Sequence, residues 1–346
     1  MNSLGTDRAI DVYPAAPWRP AVVARPARRV PVIHIALFIV TFITTAMAGA
    51  LHAGADPFTD PASIRAGFPF AVTLLAILLT HEMGHYTLAQ WHHVRATLPY
   101  FLPAPPIFIG TFGAFIRLKS MPPSRRALFD VGAAGPWAGL LVAIPAIIIG
   151  LRLSVIRPEG LGEGGMILGD SMLFSFLTRI TLGATPDDMT IMLHPIALAG
   201  WIGLFVTLLN LLPIGQLDGG HVTYAMFGRR HRWISRLAVA AIAVLAYKTW
   251  PGWFVWVIVP LIIGVDHPPT LEDHVPLRGW RRLAGWLTAA VFVLTFIPTP
   301  FSEPKPSPVF EGERTPVKWQ PDTGAHRRSH NAVPVPVRPV LPVVRS

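Results

Sequence analysis

The sequence predicts an all-α polytopic membrane protein of about five to seven transmembrane helices, with a re-entrant β-hairpin near its active site. Three observations carry this. Of 346 residues, 52% are hydrophobic and only 14% are charged, a balance too apolar for an ordinary soluble domain. Apolar runs near the length needed to cross a bilayer recur along the chain, the first from Val32 to Leu51 and the second from Phe68 to His93. Between the second and third runs lies a stretch with prolines at Pro99, Pro103, Pro105 and Pro106. No spanning helix runs through it, because each proline removes a donor and clashes with the preceding turn.

The composition also excludes several classes. With no cysteine, the chain has no disulfide, no thiolate nucleophile and no cysteine-held zinc. Any metal must be held by His, Asp, Glu or water. The formal charge of +10 arises from Lys and Arg beside the apolar runs and in a loose tail, which reads as membrane orientation rather than a nucleic-acid surface.

In chain order, residues 1–30 are rich in Arg, Pro and Ala and are expected to form a disordered cytosolic tail. Arg8, Arg19, Arg25, Arg28 and Arg29 precede the first run, so the positive-inside tendency places the N-terminus in the cytosol. A single membrane-embedded domain is expected over residues 31–297. After the second run, Thr111 to Lys119 alternates as a strand would, with Phe112, Ala114, Ile116 and Leu118 on one face. Irregular backbone near membrane depth is tolerated only under protein or around a wet cavity, hence a re-entrant hairpin with a free edge.

The third run, Phe129 to Leu151, opens on small residues from Gly132 to Gly139 that admit a closely packed neighbour. Met172 to Leu182 reads as a short amphipathic helix on the outer surface. The fourth run, His194 to Leu212, ends at Pro213 and Gly215, so Asp218 is expected on irregular backbone at a helix end. Ile234 to Tyr247 and Trp253 to Gly264 form two tilted spans or one shallow hairpin, and Leu283 to Ile297 is the last run. Residues 298–346 are proline-rich and expected to be disordered.

The chemistry sits inside the second run, at His81, Glu82 and His85. In a helix, residues four apart share a face, so the two imidazoles aim at one point with Glu82 alongside. His-Glu-x-x-His suits zinc: two neutral imidazoles bind the metal, and the carboxylate can take a proton from an activated water. The setting strengthens a short pattern, since ionisable side chains in a membrane-length segment are costly and mark function. A buried polar cluster that packs helices is the plain alternative. The second and fourth runs point the same way, so Asp218 and the His pair can lie at similar depth. Two imidazoles and one carboxylate with an open fourth position is a catalytic zinc arrangement. For Asp218 the plain alternative is a turn residue capping the next segment.

HEMGH at 81–85, NLLPIGQLDGG at 210–220 and the glycine-bearing GTFGAF at 110–115 together resemble the site-2 protease family of intramembrane zinc metalloproteases. The likeness is to the branch without a PDZ domain, similar to plastid and bacterial members, and covers roughly residues 65–270. It implies that His81, His85 and Asp218 hold one catalytic Zn2+ and that Glu82 is the general base. Asn210 falls on the family's Asn position and is either an oxyanion donor or an interhelical hydrogen bond; Gly113 is a candidate oxyanion or substrate contact. His221 reads as a supporting residue, and His34, His92, His93, His194, His267 and His274 as interfacial or solvated. The function implied is hydrolysis of peptide bonds in transmembrane protein substrates, within the lipid bilayer of a bacterial cell and without a nucleic-acid partner. A catalytically inactive membrane scaffold and a metal-handling membrane protein are the alternatives.

Overall fold

The computed structural model describes residues 31–158, 167–184, 189–302 and 343–345. The tail expected over 1–30, the acidic residues Glu159, Glu163, Asp187 and Asp188, and most of the tail expected over 298–346 lie outside the described residues.

Nine α-helices are described: α1 Val32–His52, α2 Phe68–Trp91, α3 Arg125–Arg152, α4 Met172–Leu182, α5 Pro195–Asn210, α6 Asp218–Phe227, α7 His231–Lys248, α8 Trp253–Ile263 and α9 Trp280–Thr295. Among the described residues, three helical segments are long and apolar enough to cross a membrane: α1, α2 with the 3-10 turn Pro61–Gly67 before it, and α3. The apolar α4, α5 and α8 are shorter. α1 leaves Ile35, Ile39 and Ile43 exposed on its outer face, which suits a lipid environment and not water. In α2 the hydroxyls of Thr73 and Thr80 are satisfied locally, donating to Pro69 O and Ala76 O one turn back, whereas those of Thr41 and Thr45 in α1 are buried with no hydrogen-bond partner among the described residues.

α3 is the central helix, packed against α2, α5 and α6. Its small residues explain the closeness. Gly150 meets the backbone of Ala197 at the start of α5, and Gly200 meets Ile147 one turn on, so α3 and α5 run antiparallel. Gly84 of α2 lies against Ala134 and Ala138, while Gly203 of α5 lies against Ile77. α2 and α5 therefore run the same way, as the sequence predicts. Phe70, Leu74, Ile77, Ala143, Ile147 and Leu204 fill the shared core.

A β-hairpin is formed here, with β1 Tyr100–Pro103 paired antiparallel with β2 Thr111–Phe115. β2 is shorter than the alternation suggested: beyond Phe115 only an isolated bridge, Ala96 with Leu118, continues the pairing. A second sheet was not foreseen. β3 Val155–Pro158, β4 Ile167–Leu168, β5 Met189–Met192, β6 Phe301–Ser302 and β7 Val343–Arg345 form five strands in the order β3-β5-β7-β4-β6. Strands of two to four residues are too short to show a period, so an all-α reading is incomplete at this end. β3 follows the end of α3, β5 precedes α5 and β6 follows α9, which places the sheet at one end of the bundle.

A further correction concerns Asp218. It is not on irregular backbone but is the first residue of α6. Gly219 and Gly220, which follow it directly, suggest irregular backbone, yet here they serve close packing. A Cβ at Gly219 would stand 2.0 Å from Leu211 O, and one at Gly220 2.3 Å from Gly215 O. Only glycine lets this helix begin against the 211–215 turn.

Candidate metal centre

The site forms at the end of the bundle opposite the five-stranded sheet. α2 carries His81, Glu82 and His85, which are 3%, 6% and 6% exposed. α5 ends at Asn210, and the turn that follows delivers Asp218 at the head of α6. His81 Nε2 stands 3.1 Å and His85 Nε2 3.2 Å from the same oxygen, Asp218 Oδ2, and the two Nε2 atoms are 3.1 Å apart. Three donor atoms thus face one point.

The donor chemistry fits a metal ion. Zinc bonds of about 2.0–2.1 Å in a tetrahedron set neighbouring ligand atoms about 3.3 Å apart. The observed spacings are close to this. The hydrogen bonds also select the right tautomer: His85 Nδ1–H donates to Val131 O at 2.7 Å, so its Nε2 carries a lone pair toward His81 and Asp218. A cation between these lone pairs removes their mutual repulsion. Among the described residues this trio is the one group of three or more His, Asp or Glu side chains placed to hold a metal.

α3 supplies the wall. A Cβ at Gly135 would lie 2.0 Å from His85 Nε2, and one at Gly139 3.3 Å from His81 Nδ1. The small-residue stretch read as a helix-packing surface is therefore also the cradle of both imidazoles. A Cβ at Gly132 would meet His221 at 2.6 Å. Asp218, as first residue of α6, has its carboxylate at the positive end of that helix.

Glu82 lies beside this group, and its carboxylate faces the backbone of Ile116, just past β2. The hairpin is thereby brought to the carboxylate. Asn210 contributes its side-chain amide nitrogen 3.2 Å from His81 Nε2. Gly113 lies on β2 with φ +97 and open space where a Cβ would stand, and its N–H donates to Thr111 Oγ1 at 3.0 Å.

His221 stands outside the ligand group and bonds through Nδ1 to His267 Nε2 at 2.7 Å. Other histidines expected at the interface are engaged. His92 Nε2 pairs with Asp130 Oδ2 at 2.8 Å, His34 Nδ1 meets Pro99 O at 3.0 Å, and His194 caps α5. Sequence reasoning missed Val131 as the carbonyl that orients His85, since a backbone acceptor leaves no residue-type signal. The cradle glycines were visible as small residues, without their partners.

The class of protein follows from these parts. It is a bundle of membrane-type helices enclosing a buried, metal-competent His-His-Asp centre with a free carboxylate at its side. Residues 69–247 match the sequence model of Peptidase family M50, and the chain belongs to that family. It is similar to the probable zinc metalloprotease EGY1, chloroplastic, of Arabidopsis thaliana, with 33% identity over 248 residues, 70% of this chain and 44% of that protein. The Oryza sativa protein of the same name is 33% identical over 241 residues, covering 68% of this chain and 41% of its own length. The probable zinc metalloprotease EGY2, chloroplastic, of Arabidopsis thaliana is 30% identical over 244 residues, 69% of this chain and 43% of that protein. The chain thus aligns with less than half the length of each of these relatives.

Proposed function

We propose that the protein is a membrane-embedded zinc metalloprotease that hydrolyses peptide bonds within or beside the transmembrane segments of other proteins. The observation that carries this reading is the convergence of His81, His85 and Asp218 on one point, with the Glu82 carboxylate next to them inside an apolar bundle. Membership of a peptidase family and similarity to proteins named zinc metalloproteases support it. His81, His85 and Asp218 would hold one zinc ion. Zinc, when bound, supplies Lewis acidity for the scissile carbonyl and for a water.

The chain's own residues do the rest. Glu82 takes a proton from the attacking water and passes it to the leaving amine. Asn210 sits beside His81 Nε2, where its amide can donate to a developing oxyanion next to the metal. A substrate helix must unwind to expose a carbonyl, which strands backbone groups in a low-dielectric site. Pairing of the unwound segment with the chain around β2 satisfies them. The position of Ile116 beside Glu82 supports this role for the hairpin, which on this proposal re-enters the membrane.

The orientation belongs to the same proposal. Arg125, Arg126, Arg229, Arg230, Arg232 and Arg236 gather at the metal end of the bundle, which supports a cytosolic placement of that end. α1 runs antiparallel to α2 in this arrangement, so the N-terminus is cytosolic too. The setting proposed is a bacterial cell membrane crossed several times, with α5 completing a span through the turn after it.

The test is cleavage of a panel of transmembrane segments by purified wild type and Glu82→Gln in lipid, with zinc measured on both. Cleavage by wild type alone, with zinc on both, is the expected result. Zinc on both with segments bound but never cut would favour the inactive scaffold. Replacing Ile116 by proline is expected to slow cleavage with zinc retained; an unchanged rate would remove the hairpin from the mechanism.

A further inference from the structure

A second polar feature lies at the metal end, away from the ligands. A cavity of about 610 Å3 is lined by Arg125 at the start of α3, Phe227, Arg229 and Arg230 at the end of α6, and Leu271 and Asp273 from the segment before α9. α6 stops at Gly228, whose φ of +58 turns the chain sharply. A Cβ there would lie 2.4 Å from an Arg125 guanidinium nitrogen. Glycine at this turn brings Arg229 and Arg230 beside Arg125.

The charges are not balanced. Arg125 pairs with Asp273 through two contacts of 3.2 Å, and Tyr224 donates its hydroxyl to the same carboxylate at 3.0 Å. The Arg125 guanidinium holds the Asp273 carboxyl below its usual range, so Asp273 stays ionised and committed to Arg125. Among the described residues Arg229 and Arg230 form no ion pair with a carboxylate. Two uncompensated guanidinium groups therefore share one cavity.

Its remaining wall is Phe227, Leu271 and the imidazole of His274. Leu271 is 70% exposed and Phe227 38% exposed, so a bound molecule would meet carbon on one side and guanidinium on the other. The volume falls within the range of about 300–1,000 Å3 typical of small-molecule sites, well above the need of a lone inorganic ion. Guanidinium forks match phosphate oxygens in geometry, and basic recesses at membrane level accept phosphate headgroups. α3, which Arg125 opens, is long and apolar enough to span, so the recess lies where a span meets the membrane surface.

We propose that this cavity is a binding site for a phosphate-bearing anion, held by Arg229 and Arg230 with Phe227 and Leu271 receiving its apolar part. The chemistry is shared by the headgroup of an anionic phospholipid and by a soluble phosphate ester. The site does not rest on peptidase activity, although its floor is the C-terminal end of the helix that Asp218 begins.

The experiment uses the full chain with its metal in phosphatidylcholine nanodiscs, and reads the thermal unfolding midpoint. One arm raises the fraction of phosphatidylglycerol; the other adds glycerol phosphate to phosphatidylcholine discs. The expected result is a saturable rise in at least one arm, with the half-saturating amount increased about tenfold or more in Arg229→Gln/Arg230→Gln. Arg232→Gln/Arg236→Gln, at the same end but outside the cavity, is expected to respond as wild type. A rise in the lipid arm alone assigns a lipid headgroup, and a rise in the soluble arm alone assigns a free phosphate ester. If the first double variant does not fold, Arg230→Gln is read in the same way. No rise in either arm, or an equal loss in both double variants, would overturn the site.

Discussion

The two ends of the helix bundle are built by opposite rules. At the metal end the contacts are made by absent side chains: Gly135 and Gly139 let α3 lie against two imidazoles, and Gly219 and Gly220 let α6 start against a turn. At the sheet end a glycine contact of this kind, Gly150 against Ala197, is joined by contacts between the largest side chains. Trp201, Phe205, Trp250, Trp253 and Phe301 form one aromatic cluster with ring centroids 5.3–6.5 Å apart. Trp201 and Trp253 also donate their indole N–H to Gly169 O and Pro298 O. Glycine positions polar atoms to a fraction of an ångström, whereas aromatics supply contact area and hold the end shut. The metal end is specialised for geometry and the sheet end for cohesion.

The comparison can be broken by substitutions at each end. The largest effect is expected at Glu82. Glu82→Gln should cut the cleavage rate by about 100- to 10,000-fold, the usual share of a general base, with zinc and folding unchanged. Next is Gly135→Ala, whose new methyl would stand 2.0 Å from His85 Nε2 and displace the ring. Zinc content and activity should both fall while the chain still folds; retained zinc would mean the cradle is not as tight as drawn.

At the other end, Trp253→Ala empties a fully buried site and deletes the bond to Pro298 O. A loss of about 3–5 kcal/mol of stability is expected, with zinc content per folded chain unchanged. Equal zinc loss in this variant and in Gly135→Ala would erase the distinction between the ends.

The smallest effect concerns Asp170, between β4 and α4. Burial pushes its carboxyl up to about 7, and among the described residues its Oδ1 has no hydrogen-bond partner. A folded-state value above the ordinary 3.8 means the folded chain binds the extra proton between about pH 4 and 7, so this residue lowers stability as pH rises through that window. Asp170→Asn should flatten that slope in a thermal-unfolding series, and an unchanged slope would place the titration elsewhere.

Much of the metal end was legible in the sequence because its signals are local or ordered. The four-residue spacing of His81 and His85 needs only a helix, and the parallel course of α2 and α5 brings Asp218 to their depth. What escaped was tertiary. The Val131 carbonyl that fixes His85 is a backbone atom, and Gly219–Gly220 has the same letters whether it breaks a helix or lets one dock. At the sheet end, β4 and β6 have two residues each, too few for alternation to register. Their place is set by pairing between segments far apart in the chain.

The most direct measurement is zinc per chain, by elemental analysis of purified wild type, Glu82→Gln and Asp218→Asn in lipid. One zinc in wild type and Glu82→Gln, with loss in Asp218→Asn, is the predicted result. Full zinc in Asp218→Asn, or none in wild type, would contradict the assignment of His81, His85 and Asp218 as the metal centre.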